Sequence, residues 1–104
     1  MARHILDRLH ETVLSRKGAD PASSYTAKLY ARGRDKIGQK IGEEGVECAI
    51  EVVKGDADKL VEESADLLYH LTVGWAACGV DPQRVWDVLE TRAQANKGEA
   101  KGKK

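Results

Sequence analysis

The chain has little of what builds β-sheets or membrane spans. Phenylalanine is absent, only 5% of the 104 residues are aromatic, and β-branched residues do not alternate with polar ones. Apolar residues recur instead at intervals of three and four, which is typical of amphipathic helices. No apolar run approaches the roughly 20 residues that a bilayer requires. The sequence therefore predicts an all-α protein with no membrane partner.

A dominant charge is also missing. Lysine plus arginine and aspartate plus glutamate number 17 each, so the formal net charge is zero. Without an overall basic field we expect no nucleic-acid partner, and any polyanion must be bound by a local group of cations. Residues 1–8 become charged again before a signal-peptide hydrophobic region can form, so we expect a cytoplasmic protein.

Cysteine is scarce and has no metal-binding or redox spacing. Cys48 and Cys78 are too far apart for a CxxC motif, and each lies in an apolar helical stretch. Cysteine in such a stretch usually behaves as a small hydrophobic residue. We expect two buried thiols that stay reduced.

Helix-start and helix-stop residues divide the chain into an antiparallel bundle of four to five helices. Ser23 or Ser24 can cap the second helix and Asp56 the fourth, while Gly55 closes the third. The predicted helices cover 2–16, 25–31, 35–53, 57–77 and a segment that begins at 82. The third and fourth are joined so tightly that they must lie antiparallel. We expect one domain, 1–96, and a disordered basic tail, 97–104.

The third helix carries an acid pair at the edge of its packing face. At about 100° per residue, Glu44 borders the apolar stripe and Glu47 lies about 60° further round, while Glu43 is about 100° away and faces water. Glu51 falls within about 20° of Glu44, which leaves its participation open. The stripe itself consists of Ile37, Ile41, Cys48 and Val52.

The fourth helix repeats this arrangement. Glu63 borders its apolar stripe and Asp66 lies about 60° round, while Glu62 points outward. The stripe consists of Leu60, Leu67, Leu71 and Cys78. Two acid pairs in matching phase on facing helices suit a hard cation, and magnesium fits best because it binds a few carboxylates and completes its shell with water and phosphate. Solvated acidic helix faces are the alternative interpretation.

Cations and hydroxyls near these acids suggest a phosphate-binding surface. Lys40 and Lys36 lie one and two turns before Glu44, where ammonium groups can bind phosphate; simple pairing of Lys40 with Glu44 is the alternative. His70 is either a partner of the metal acids or a satisfied, partly buried histidine. Hydroxyls that can bind phosphate or ribose, or cap a helix instead, belong to Ser24, Tyr25 and Thr26.

Two further features point to close packing. Gly38, Gly42 and Gly45 each cost their helix roughly 1 kcal/mol relative to alanine, so we expect another helix or the substrate to approach them closely. The segment 67–80, with Trp75, is apolar nearly all round, more than its neighbours in so small a domain can cover. A homodimer is therefore expected.

The motifs together resemble the phosphoribosyl-ATP pyrophosphatases of histidine biosynthesis, which belong to the all-α, MazG-like nucleoside triphosphate pyrophosphatases. The resemblance covers about residues 5–92. It departs at Gly45, where the family often has alanine, and at the additional glycine Gly38, neither of which is a metal ligand. The matching segments are Ser24-Tyr25-Thr26, Lys36-Ile37, Lys40-Ile41-Gly42-Glu43-Glu44 with Glu47, and Glu63-Ser64-Ala65-Asp66-Leu67-Leu68-Tyr69-His70.

The resemblance implies a dimeric enzyme that uses Mg²⁺ to hydrolyse phosphoribosyl-ATP to phosphoribosyl-AMP and pyrophosphate. It implies an active site that draws on both subunits, with Arg92 a candidate. It also implies a separate phosphoribosyl-AMP cyclohydrolase as pathway neighbour. Carried over residue by residue, the catalytic metal ligands are Glu44, Glu47, Glu63 and Asp66.

Three other functions remain to be weighed. A house-cleaning enzyme of the same superfamily would hydrolyse dCTP, dUTP or a damaged nucleotide with the same acids, although the lysines and the 24–26 segment favour the histidine pathway. A di-iron bundle would need two Glu-x-x-His motifs, and the sequence has none. A purely structural bundle would tolerate loss of the acids.

Overall fold

The computed structural model describes residues 4–98, and within that range the only regular secondary structure is α-helix, as predicted. Residues 97 and 98 belong to the last helix, and the rest of the predicted tail lies outside the described residues. No helix in this range is long and apolar enough to cross a bilayer. The helices are α1 (Ile5–Ser15), α2 (Tyr25–Arg32), α3 (Arg34–Lys54), α4 (Ala57–Ala77) and α5 (Pro82–Gly98).

The predicted caps form at the starts of α2 and α4, and a further cap forms at the start of α5. Ser24 Oγ accepts the Ala27 N–H, and Asp56 Oδ1 accepts the Lys59 N–H, both at 3.1 Å. Asp81 Oδ1 accepts the N–H of Gln83, one residue into α5. These bonds satisfy amides that a helix leaves unpaired in its first turn, so polar residues at three positions fix where the elements begin.

The centre of the fold is the α3–α4 hairpin, whose turn is Gly55 and Asp56. Gly55 has φ of +74°, the left-handed conformation that ends α3, and its N–H bonds back to the Glu51 and Val52 carbonyls. Helix α3 packs along α4, α1 packs on α4, and α2 packs on α3. The predicted antiparallel pairing of the two acid-bearing helices is therefore confirmed.

The buried core lies at the end of the hairpin away from its turn. Tyr30 anchors α2 to α1 by donating its hydroxyl proton to the Val13 carbonyl, 2.9 Å away. The rings of Trp75 and Trp86 meet edge to face, with centroids 5.8 Å apart, and join α5 to α4. The core residues are Val13, Leu29, Ile37, Val73 and Ala76.

The close approach expected at three glycines of α3 occurs instead on α4. A Cβ placed at Gly38, Gly42 or Gly45 would meet nothing within 4 Å in the described chain. At Gly74 it would lie 3.1 Å from Ile41 Cδ1, because α3 and α4 approach each other closely there. No helix of the described residues approaches the three glycines of α3, so that part of the expectation was wrong, and approach of the substrate to them stays a prediction.

Two burial predictions also fail. Val52 is exposed, and Glu51 is the buried residue at that turn of α3. Val52 lies in the last turn of α3, where the neighbouring position, Glu51, is the one that faces inward. Cys78 is exposed at the C-terminal cap of α4, while Cys48 is half-buried; both are free thiols.

The half of the hairpin that contains Gly55 exposes several large apolar side chains, from Val46 on α3 to Leu68 on α4. Val53 is 87% exposed and Val61 is 69% exposed. The radius of gyration is 15.9 Å, against about 13 Å for a compact domain of this size. We refer to this surface as the bare tip, which consists of Val46, Ile50, Val53, Val61 and Leu68.

Candidate active site

Three of the four predicted acids converge across the α3–α4 interface. One carboxylate oxygen from each of Glu44, Glu63 and Asp66 lies within 4.8 Å of the other two. Glu44 comes from α3, and the other two come from successive turns of α4. Three oxygens at this separation can share one hard cation.

The spacing of the acids is symmetrical about the hairpin turn. Glu47 and Glu63 each stand eight residues from Gly55, and Glu44 and Asp66 each stand eleven residues from it. Residues equidistant from a tight antiparallel turn lie at similar heights along the two helices. The short turn therefore brings the two acid pairs level with each other.

Glu47, the fourth predicted acid, interacts with Glu63 of this cluster. Its carboxyl group, with which Glu63 can share a proton, is the main cause that raises the pKa of Glu63 to about 7. Burial adds to the rise, followed by the charges of Glu47, Glu44 and Asp66. Four acids this close repel one another, and the repulsion is relieved when one takes up a proton or a cation binds.

Buried oxygens in the cluster fit a cation. Glu44 is 8% exposed, and its Oε1 atom and the Oε1 atom of Glu63 are buried without a hydrogen-bond partner. Burying such atoms unpaired is costly. An all-carboxylate donor set suits magnesium better than softer metals, so the residues present fit the ion that the sequence predicted.

The acids that helical phase placed toward the neighbouring helix are less exposed than their immediate neighbours in the sequence. Glu43 and Glu62, the immediate neighbours of the cluster acids Glu44 and Glu63, are both exposed. Glu51 is buried, but it is not among the converging acids; its Oε1 atom has no hydrogen-bond partner and lies 4.0 Å from Lys54 Nζ. The described geometry therefore brings together four acids rather than five.

The two lysines precede Glu44 on α3 by one and two helical turns. Lys40 Nζ pairs with Glu43 Oε1 at 3.4 Å, not with Glu44 as the alternative interpretation had it. Electrostatic interaction with Tyr25 is the main cause that raises the pKa of Lys40, followed by the bond to Glu43. The charge of Lys36 also acts on Glu43. Both ammonium groups thus lie within electrostatic range of the same exposed carboxylate.

The three hydroxyls of the 24–26 segment have different surroundings. Ser24 Oγ caps α2 by accepting a backbone N–H. Thr26 is buried, and its hydroxyl is hydrogen-bonded to that of Tyr69. Tyr25 is 50% exposed, and its hydroxyl lies 3.1 Å from His70 Nε2. Tyr25 is therefore the exposed member of the three.

His70 connects this segment to the acid cluster. It is 7% exposed, and its Nδ1 atom lies 2.9 Å from the backbone carbonyl oxygen of Asp66. Both ring nitrogens have partners, as expected for a satisfied histidine. The Tyr69 ring packs against His70 edge to face, with centroids 4.9 Å apart, and stacks on Tyr25 at 6.2 Å. Sequence reasoning gave Tyr69 no role, since its partners are 43 and 44 positions away.

The chain is similar to known proteins over nearly its whole length. The family model of phosphoribosyl-ATP pyrophosphohydrolase matches residues 6–93. The phosphoribosyl-ATP pyrophosphatase of Azospirillum brasilense is 59% identical over 88 residues, which cover 85% of this chain and 79% of the relative. The protein of the same name from Paramagnetospirillum magneticum is 57% identical, with 85% and 81% covered. That from Gluconobacter oxydans is 56% identical, with 85% and 66% covered.

These relatives, the all-helical fold and the acid cluster define a hydrolase that acts on a diphosphate bond. More specifically, the chain belongs to the phosphoribosyl-ATP pyrophosphohydrolase family, because the family model covers 88 of its 104 residues, from 6 to 93.

Proposed function

We propose that this protein hydrolyses phosphoribosyl-ATP to phosphoribosyl-AMP and pyrophosphate, an early step of histidine biosynthesis. The observation that carries the proposal is the convergence of Glu44, Glu63 and Asp66 within 4.8 Å in a chain of this family. We place the reaction in the cytoplasm. The product would pass to a phosphoribosyl-AMP cyclohydrolase, and whether that enzyme is a separate polypeptide stays a prediction.

We propose Mg²⁺ as the cofactor, held by Glu44, Glu47, Glu63 and Asp66. A bound Mg²⁺ supplies charge neutralisation at the phosphate oxygens and lowers the pKa of coordinated water. The carboxylates fix the position of the polyphosphate relative to α3 and α4. Their buried, unpartnered oxygens favour binding of a cation over a solvated-face role for these acids.

Glu47 is our candidate for positioning the attacking water. It is exposed, unlike Glu44, and it stands beside Glu63, whose raised pKa reflects that proximity. An exposed carboxylate at the edge of the acid cluster can accept a proton from water without first being uncovered. If Glu47 positions the water, its substitution should lower kcat more than it weakens Mg²⁺ binding. An acid that only binds the cation should show the larger effect on Mg²⁺ binding.

Lys36 and Lys40 are proposed to bind the phosphate groups that extend beyond the cation. Lys40 already pairs with Glu43, an exposed carboxylate that a phosphate can replace as the partner of the ammonium group. An exposed pair of this kind contributes little to stability, so exchanging Glu43 for a phosphate is energetically undemanding. Both lysines would lower KM more than they raise kcat.

We further propose a homodimer joined through the bare tip. This surface is large, apolar and unpacked within the subunit, whereas soluble monomers rarely expose extended apolar patches. Covering it with a second hairpin would build a four-helix arrangement around the acid-bearing helices. Arg92, exposed on α5 in a groove of about 390 Å³ with Val88 and Leu89, stays a candidate for contact with the partner's site.

The test of the proposed function is pyrophosphate release from phosphoribosyl-ATP, dCTP and dUTP, with Mg²⁺ and with chelator. We expect phosphoribosyl-ATP to be preferred and chelator to abolish turnover. Preference for dCTP or dUTP would instead make the protein a house-cleaning enzyme of the same superfamily, and chelator-resistant turnover would refute the cation mechanism.

A further inference from the structure

The hydrogen bonds around His70 fix which atoms carry protons. The Asp66 carbonyl can only accept, so His70 Nδ1, 2.9 Å away, must donate. In the neutral imidazole, Nε2 then carries a lone pair and accepts the Tyr25 hydroxyl proton across 3.1 Å. The Tyr25 oxygen consequently has no proton left to donate and presents only lone pairs.

The Tyr25 ring is held in place although the residue is half exposed. It stacks on Tyr69 at an interplanar angle of 27° and meets His70 at 90°. The oxygen is joined through His70 to the backbone carbonyl of Asp66, whose side chain belongs to the acid cluster. A fixed, exposed acceptor beside the site discriminates between donor and acceptor groups on a bound molecule.

We infer that His70 is a positioning residue that makes Tyr25 an acceptor, so that Tyr25 binds a sugar hydroxyl of the substrate and not a phosphate oxygen. This inference rests on the proposed function and deepens it. A phosphate oxygen carries no hydrogen at neutral pH and would meet the Tyr25 lone pairs unfavourably, whereas a ribose hydroxyl can donate to them.

The experiment compares two ligands that differ in hydroxyl groups. Phosphoribosyl-ATP carries sugar hydroxyls, and inorganic triphosphate carries phosphate alone. With Mg²⁺ present, Tyr25→Phe should raise KM for phosphoribosyl-ATP about three- to tenfold, the size of one hydrogen bond, with kcat unchanged. The inhibition constant of triphosphate should stay within about twofold of the wild type, because no phosphate contact is lost. Equal weakening of both ligands would overturn the inference.

His70 is tested by a double-mutant cycle. His70→Ala should raise KM for phosphoribosyl-ATP by no more than Tyr25→Phe does, because the Tyr25 oxygen keeps its lone pairs and loses only the bond that orients it. Adding His70→Ala to Tyr25→Phe should give no further rise, because both act through one oxygen. A merely structural histidine would lower thermal stability and leave additive effects on KM. If His70→Ala fails to fold, the ligand comparison on Tyr25→Phe still decides whether the oxygen binds a sugar hydroxyl.

Failure of the inference is distinguishable from failure of the proposed function. If the wild type does not release pyrophosphate from phosphoribosyl-ATP, the proposed function is refuted and the inference with it. If the wild type does so and Tyr25→Phe has the same KM, the inference alone is refuted.

Discussion

Glu43 and Glu44 are consecutive residues of α3 with opposite surroundings. Glu44 is 8% exposed and faces α4, where its carboxylate joins those of Glu63 and Asp66. Glu43 is exposed, accepts a hydrogen bond from Gln39 at 2.9 Å and pairs with Lys40. The two residues differ in sequence position by one and carry identical chemistry, so they form a matched pair for testing the site.

Glu44→Gln should abolish the stabilisation that Mg²⁺ gives to the folded protein and lower kcat/KM about 100-fold or more, because a cation ligand is lost. Glu43→Gln should change kcat/KM by less than about tenfold, since its carboxylate lies outside the cluster. The measurements are thermal unfolding with and without Mg²⁺ and steady-state kinetics. Equal effects of the two substitutions would show that the phase of α3 does not define the site.

The raised pKa of Glu63 makes the cation-free protein sensitive to pH. The folded state holds the Glu63 proton more tightly than the unfolded chain, since its pKa rises from 4.5 to about 7. Its contribution to stability is therefore full below about pH 4 and is lost as the pH rises through about 7. We expect the unfolding temperature in chelator to fall between about pH 5 and pH 8.

Glu63→Gln serves as the control for this pH dependence, because an amide does not titrate. The fall should be smaller in the variant, which retains the contributions of every other group. Adding Mg²⁺ should stabilise the wild type more at about pH 8 than at about pH 6, since the ion competes with the proton for Glu63. A wild type and a variant with identical pH profiles would refute the assignment.

If the dimer forms through the bare tip, replacing Val53 by a charged residue should weaken self-association. Val53→Glu places a carboxylate in the surface proposed to be covered by the second copy, so the dimer dissociation constant should rise at least about tenfold. Ile5→Glu, which alters an exposed apolar residue of α1, is the matched control and should leave it unchanged. Sedimentation equilibrium measures both. A monomeric wild type would refute the dimer outright.

The glycines of α3 and α4 should respond differently to alanine. Gly38→Ala adds a methyl group that meets nothing within 4 Å, so improved helix propensity should stabilise the protein by about 1 kcal/mol. Gly74→Ala gains the same propensity but places its Cβ 3.1 Å from Ile41 Cδ1, so the Ile41 side chain must shift by a few tenths of an ångström, which offsets part of that gain. Urea unfolding should rank Gly38→Ala as the more stable variant. The reverse order would contradict the packing described at Gly74.

Periodicity was sufficient to predict the hairpin and the phase of its acids. A turn of two residues forces α3 and α4 to pack side by side and antiparallel. The 3.6-residue repeat within each helix then predicts that Glu44 and Glu63 lie on the sides that face each other. The His70 to Tyr25 bond could not be predicted, because it joins residues 45 positions apart on helices whose relative placement depends on the whole core.

The predictions that failed concern how one helix packs against another, which the sequence of a single helix does not determine. Cys78 belongs to an apolar stripe, but it falls at the last turn of α4, where no other element covers it. Gly74 was not singled out because nothing in its own helix marks it; the contact depends on Ile41 from α3. Burial at the ends of helices, and contacts between helices, depend on packing that a single helical repeat does not encode.

The symmetrical spacing of the acids about Gly55 restricts which changes in chain length the protein can tolerate. One residue inserted between Glu47 and Gly55 would turn both acids of α3 by about 100° and shift them by about 1.5 Å relative to α4. The insertion would move Glu44 away from Glu63 and Asp66 without altering any acid. Insertions within residues 48–62 should therefore abolish catalysis. The segment between α1 and α2 does not set the spacing of the acids, so insertions there should be compatible with catalysis.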